Sequence, residues 1–203
     1  MRLTTRYVPA LAGVLALTLL SAPSDATQLR FSVSGGAIVW SDLVSDSIVA
    51  PLTVRPNVSP TVAVAAHGEL GKSGHVRVRI AVSRGDLNVT ERGSSVTVTT
   101  LTTWHPSIDL SQRLLGANEI HLNIGVLFFA PGDATGTLFS EGSPALPTAG
   151  IGLSRPLPLG GMPISLEANV DFHRFSTNSL RSAGFSGERT VGRVWLGISV
   201  GGG

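Results

Sequence analysis

Nine side chains that could do chemistry fall on the polar face of predicted strands, and their types favour ion pairing. They comprise four arginines, three carboxylates and two histidines: Arg30, Arg77, Arg79, Arg193, Glu119, Glu167, Asp171, His121 and His173. Ionised groups that leave water need partners of opposite charge. We therefore predict that these nine side chains form a polar network inside the protein.

The stretch FHRFSTNS (172–179) brings a histidine and a serine close together and raises the alternative of nucleophilic catalysis. A nucleophile and its base must lie within hydrogen-bond reach of each other. His173 and Ser176 are three residues apart, so a regular strand points them to opposite faces. Phe175, at the spacing that shares a face with His173, cannot act as a nucleophile. We predict no catalytic residue here.

Other kinds of binding site lack support in the sequence. The five histidines show no close metal-ligand spacing, and the chain has no cysteine. Neither a phosphate-binding loop nor a dinucleotide fingerprint is present. No run of basic residues suggests a nucleic-acid partner, although the pI is about 9.9. We expect no metal, no cofactor and no nucleic acid.

The first 26 residues have the layout of a secretory signal peptide. Arg2 and Arg6 precede an apolar run at residues 10–20, and small residues occupy Ser24 and Ala26. The apolar run is shorter than the roughly 20 residues that a membrane-spanning helix needs. We predict cleavage after Ala26, which leaves residues 27–203 as one domain.

Alternating polar and apolar residues dominate the remainder and predict an all-β fold. In HVRVRIAV (75–82), aliphatic side chains alternate with a histidine and two arginines. The pattern predicts eight strands, near residues 29–35, 58–70, 75–90, 95–104, 119–128, 148–155, 164–173 and 193–200. Connections at 41–57, 131–147 and 176–189 are long, and 105–118 is a further long connection with room for a helical turn.

Charge content decides which face of these strands meets water. Only 14% of residues are charged, against about 25% in typical soluble proteins, and Lys72 is the only lysine. The polar rows carry few charges, of both signs, whereas the apolar rows fit the 9–11 residues of a membrane-spanning strand. We therefore predict an eight-stranded antiparallel up-and-down transmembrane β-barrel, with aliphatic side chains facing lipid.

Residues 29–200 resemble the small eight-stranded β-barrels of the bacterial outer membrane. The resemblance is carried best by ISLEANVDFHRFS and TVGRVWLGISVG, which look like the last hairpin of that family. It implies an outer-membrane location, with membrane lipid and the barrel-insertion machinery as partners and long loops that could bind an extracellular ligand. It also implies a structural or loop-mediated role without enzymatic activity.

Two alternatives stay open: a lipid-modifying outer-membrane enzyme, and a soluble exported β-barrel that binds a ligand. For the enzyme, FHRFSTNS faintly resembles the lipid A deacylases of the same membrane, whose histidine and serine sit two residues apart; here they are three apart.

An eight-stranded barrel is just wide enough for side chains to fill its lumen. The predicted network would therefore plug the barrel, although Gly125, Gly152 and Gly197 on the inward rows could leave local gaps. Trp40, Trp104 and Phe128 are the candidates for aromatic residues at the membrane interface.

Overall fold

The computed structural model describes residues 29–46, 52–70, 74–114, 117–132, 145–159, 161–175 and 189–201. Ten strands make up the fold: β1 (Arg30–Trp40), β2 (Val44–Asp46), β3 (Leu52–Pro56), β4 (Ser59–Leu70), β5 (Gly74–Glu91), β6 (Ser94–Arg113), β7 (Glu119–Pro131), β8 (Ala145–Leu157), β9 (Ile164–Phe175) and β10 (Arg189–Gly201). Across these ranges, no helix has the length and apolar character required to cross a membrane. The predicted signal peptide, residues 1–26, lies outside the described residues.

Eight of the ten strands close into a ring of antiparallel neighbours. The ring runs β5, β4, β1, β10, β9, β8, β7 and β6, and β6 pairs back onto β5. Apart from the β10–β1 closure, strands that are adjacent in the ring follow one another along the chain, with β2 and β3 set aside. The predicted eight-stranded up-and-down barrel is thereby confirmed. Because the ring has eight members, β5 lies opposite β9, and β1 lies opposite β7.

The two ends of the barrel differ in their connections. Residues 71–73, 114–118 and 158–163 make the short connections at one end, called here the short-turn end. Residues 41–58, 132–144 and 176–188 connect strands at the opposite end, called here the loop end.

Strand β6 corrects the expected long connection at residues 105–118. The strand runs to Arg113, so only 114–118 joins it to β7. Pro106 suggests a loop because proline lacks a backbone donor. The ladder to β7 has no residue pair at 105 or 106, however, and the pairing to β5 continues through Pro106. A proline is tolerated where the ladder does not need its N–H.

A small sheet continues the barrel wall at the loop end, where a long loop was expected at residues 41–57. It consists of β2, β3, residues 87–91 of β5 and residues 94–100 of β6, and is called here the loop-end sheet. Arg92 and Gly93 have φ angles of 49° and 84°. Positive φ at both central residues is typical of the two-residue turn that matches strand twist.

Candidate functional site

Burial along the HVRVRIAV stretch shows which face of the strand points into the barrel. Arg77 and Arg79 are each only 4% exposed inside the barrel, whereas Ile80 on the other face is exposed. The outer surface carries a continuous belt of exposed apolar side chains, including Phe31, Val33, Val62, Val64, Leu110, Leu122, Ile124, Ile151, Leu153, Leu166, Leu196 and Ile198. A polar interior within an apolar exterior is the arrangement of a membrane barrel.

A nitroxide spin label at position 78 should report lipid, because Val78 lies between inward-facing Arg77 and Arg79 on the same strand. Collisions with oxygen should relax the label strongly, and a water-soluble nickel complex should relax it little. A label at Arg92, in the exposed turn, is the control. It lies in water, where the nickel complex should relax it strongly. Nickel access at position 78 equal to that at position 92 would contradict the assignment of the two faces.

The lumen in the short-turn half is crossed by ion pairs. Arg77 donates from Nε to Asp109 Oδ2 at 2.7 Å and from Nη1 to Glu167 Oε1 at 2.8 Å. Arg79 Nε lies 4.0 Å from Asp109 Oδ2. Since β5 and β9 are on opposite sides of the ring, the Arg77–Glu167 pair spans the full width of the lumen. Arg77, Arg79, Asp109 and Glu167 are called here the ionic layer.

Arginine–aromatic contacts lie between the ionic layer and the loop end. Arg193 donates from Nε to Asp171 Oδ1 at 2.6 Å and lies over Trp40, 5.1 Å from its ring centroid. Arg79 lies over Trp195 at 5.2 Å. Guanidinium groups bind well to both carboxylates and aromatic faces, so one arginine can join polar and apolar parts of the lumen.

Aromatic side chains fill the lumen nearest the loop end. Trp40, Phe129, His173 and Phe175 form what is called here the aromatic layer. The ring centroids of Trp40 and Phe129 are 5.9 Å apart, and those of Phe129 and Phe175 are 5.7 Å apart. Because β1 and β7 are opposite, the Trp40–Phe129 contact also crosses the full lumen. The apolar cluster continues into the loop-end sheet through Leu43, Val54 and Leu87.

The inward glycines do not leave the gaps considered above. A Cβ atom at Gly152 would overlap the side chain of Asn169, and one at Gly197 would overlap the ring of Trp195. At Gly125, a Cβ would lie 2.8 Å from His105 Nε2. Each glycine thus makes room for a larger side chain from the same or a nearby strand, which packs the lumen more tightly.

Seven of the nine predicted network residues are buried in the lumen: Arg77, Arg79, His121, Glu167, Asp171, His173 and Arg193. The other two lie at the rim of the short-turn end. Arg30 Nη2 is 3.7 Å from Glu69 Oε1, with the Arg30 side chain 42% exposed. Glu119 Oε1 is 3.7 Å from Arg113 Nε. Arg30 and Glu119 therefore form separate, looser pairs.

Asp109 is the important residue that the sequence reading missed. It accepts from Arg77 and Ser107 and is 1% exposed. Its position within a presumed connection concealed it, although the alternation of Ser107, Asp109 and Ser111 with Ile108 and Leu110 continues the strand pattern after Pro106. That alternation was the available signal.

Trp40 corrects another expectation, because it lies inside the barrel, 3% exposed, and not at the membrane interface. Trp104 does face outward.

Among the described residues, no group of three histidine or acidic side chains could hold a metal ion. His173 packs in the aromatic layer, and Ser176 lies outside the described residues.

Comparison with known proteins yields matches at the level of structure. No protein-family model matches the sequence, and no curated protein matches it. The outer-membrane protein Ail of Yersinia pestis, in a phospholipid nanodisc, is 14% identical and has a TM-score of 0.50, with 85% of this chain and 98% of Ail covered.

Two further barrels have lower scores. OprG of Pseudomonas aeruginosa is 12% identical with a TM-score of 0.47, covering 86% of this chain and 96% of OprG. Neisserial surface protein A is 9% identical with a TM-score of 0.45, covering 85% of this chain and 96% of its own. The strands form a closed ring, the outer surface carries an apolar belt, and the structure is similar to that of Ail. Together these findings show that this chain has the fold of the small eight-stranded β-barrels of the bacterial outer membrane.

Proposed function

We propose that this protein is a non-conducting outer-membrane barrel whose loop-end sheet is its interaction surface. The proposal is supported by two side-chain contacts that cross the lumen at different levels. The Arg77–Glu167 pair crosses the lumen in one half, and the Trp40–Phe129 contact crosses it in the other. A solute would have to displace both layers to pass.

The loop-end sheet is suited to binding because side-chain contacts support both of its faces. Its inner face is anchored by buried Leu43, Val54 and Leu87. On its outer face, Asn88 donates to Asn57 Oδ1 at 2.9 Å and accepts from Thr97 Oγ1 at 2.8 Å. A preorganised surface loses less conformational entropy when it binds a partner. An extracellular ligand that approaches the loop end could contact this sheet.

The two alternatives raised by the sequence receive less support. Acyl chemistry on a membrane lipid needs a histidine base that the lipid can reach. His105, His121 and His173 are each 3% exposed and point away from the apolar belt. His67 and His75 are partly exposed, but they lie on the inward rows of β4 and β5 at the short-turn end and not on the belt, which favours a role without catalysis. The belt itself does not fit a soluble exported barrel, since such a barrel presents its polar face to water.

Membrane lipid and the barrel-insertion machinery are the other partners that we propose. The apolar belt would contact lipid directly. Closed barrels satisfy every backbone hydrogen bond within a bilayer, and the ring described above is closed. Insertion in the orientation usual for such barrels would place the loop end outside the cell and the short-turn end in the periplasm.

The orientation can be tested with single cysteines, because the chain has none of its own. A membrane-impermeant maleimide should label Arg92→Cys on intact cells, since Arg92 is at the exposed tip of the loop-end sheet. Asn118→Cys, in a short-turn connection, is the matched control and should be labelled only after the outer membrane is permeabilised. The reverse pattern would contradict the proposed extracellular surface.

A further inference from the structure

A cavity of about 390 Å³ opens at the short-turn end, on the side of the ionic layer away from the aromatic layer. Arg77, His121 and Glu167 lie at its inner end, and Arg30, Glu69 and Arg113 lie nearer its mouth. Small-molecule sites in proteins have volumes of about 300–1,000 Å³. The cavity is therefore large enough for a ligand the size of a sugar.

The deepest side chains of this cavity have unused hydrogen-bonding capacity. Arg77, His121 and Glu167 are each at most 4% exposed. Within the described part of the chain, Arg77 Nη2, Glu167 Oε2 and both ring nitrogens of His121 have no hydrogen-bond partner. Buried polar groups are nearly always paired, so this end of the cavity calls for a molecule that both donates and accepts.

The charges that line the cavity cancel. Three arginines and three glutamates contribute to its wall: Arg30, Arg77, Arg113, Glu69, Glu119 and Glu167. An anion attracted by one set would be repelled by the other, and the same holds for a cation. The wall thus favours an uncharged ligand over an ion of either sign.

The remaining walls differ in polarity. Leu157 at the end of β8, with Met162 and Pro163 in the β8–β9 connection, forms an apolar surface. Ser111 and Ser154 supply hydroxyls from the barrel wall. A sugar ring has hydroxyl groups around its edge and C–H groups on its faces, and matches a site that is polar on one side and apolar on the other.

We infer that this cavity is a binding site for a small, uncharged, polyhydroxylated molecule of about one to two sugar rings. Arg77 and Glu167 supply a donor and an acceptor at the inner end, and His121 can supply either. This site is separate from the loop-end sheet and does not depend on the interaction proposed for that surface.

Met162 offers a direct probe, because Met1 and Met162 are the only methionines and Met1 belongs to the predicted signal peptide. The purified barrel, labelled with ¹³C at the methionine methyl groups, is titrated in detergent with trehalose, inorganic phosphate and propylammonium. Met162→Leu assigns the signal. We expect a saturable shift of the Met162 signal with trehalose alone.

Two variants locate the binding. His121→Phe should weaken trehalose binding about tenfold, as expected when a hydrogen-bond partner is lost. Ser154→Leu should do the same by occupying the cavity, and guards against a folding defect in the first variant. His173→Phe is the matched control: it changes another buried histidine, in the aromatic layer, and should bind trehalose as the parent does.

Three results would overturn the inference. The first is the absence of a saturable shift with trehalose. The second is tighter binding of phosphate or propylammonium, which would mark an ion site. The third is unchanged trehalose binding in both His121→Phe and Ser154→Leu, which would place the ligand elsewhere.

Discussion

Planar bilayers should show stable unitary currents with the triple variant Trp40→Ala, Phe129→Ala, Glu167→Ala, and none with the parent protein or with Glu167→Ala alone. The physical reason is that two closures act in series. Removing Glu167 breaks the pair that crosses the lumen to Arg77. The Trp40–Phe129 contact, with centroids 5.9 Å apart, remains closed on the loop side.

In the proposed closure, each layer would resist passage by a different mechanism. The ionic layer occupies the lumen with paired charges, and releasing one partner leaves a buried charge that water must solvate. The aromatic layer excludes water, and an apolar constriction can stop conduction by dewetting even when it is not filled. Truncation of two opposite rings removes that constriction, and the contact of Arg193 with the Trp40 ring is lost with it.

The control is the triple variant Trp104→Ala, Phe172→Ala, Glu69→Ala. It removes two outward-facing aromatic side chains and one carboxylate at the rim of the short-turn end, all outside the aromatic and ionic layers. It should conduct no more than the parent. Currents from Glu167→Ala alone would show that the aromatic layer does not close the lumen. A silent triple lumen variant, correctly folded, would contradict the two-layer closure and the proposed reason for non-conduction.

Alternation along a strand predicts which way a side chain points, and this is why most of the barrel could be read from the sequence. Arg77 and Arg79 alternate with Val78 and Ile80, so polar and apolar side chains point to opposite faces of the strand. Once the low charge content indicates a membrane, the apolar face is assigned to lipid and the polar face to the lumen. The eight strands of the ring, and the inward direction of Arg77 and Arg79, follow from this pattern.

The height of a side chain along the barrel axis is not encoded in alternation. Arg77 and Glu167 are 90 residues apart in sequence, and their contact depends on the register of four successive strand pairings. Arg30 and Glu119 have the parity of lumen residues but lie at the rim, where the barrel ends. Trp40 was wrongly predicted to lie at the membrane interface. An aromatic residue near the end of a strand can lie either at that interface or inside the end of the lumen, and alternation does not distinguish the two.

Two short strands were also missed. Strands β2 and β3 are only three and five residues long; β2 pairs with β3, and β3 pairs with the distal part of β5. Strands this short have little signal of their own, and their pairing depends on a hairpin that extends beyond the membrane belt. Asp109 was missed for a different reason, because Pro106, three residues earlier in the same strand, suggested that the strand had already ended.

Asp109→Ala should lower the free energy of unfolding by about 3–5 kcal/mol, the cost of removing one partner from a buried ion pair. Asp109 is the acceptor for Arg77 Nε and the nearest carboxylate to Arg79. Its loss leaves two buried arginines to share Glu167. The measurement is urea unfolding in phospholipid vesicles, followed by the fluorescence of the three tryptophans.

A double variant separates the cost of unpaired charge from the loss of packing. Arg79→Met with Asp109→Leu removes one charge of each sign and retains the Arg77–Glu167 pair, so it should destabilise less than Asp109→Ala. Glu69→Ala, at the exposed pair with Arg30, should cost about 0–1 kcal/mol. If the double variant were the less stable of the two, packing and not charge balance would hold the ionic layer together.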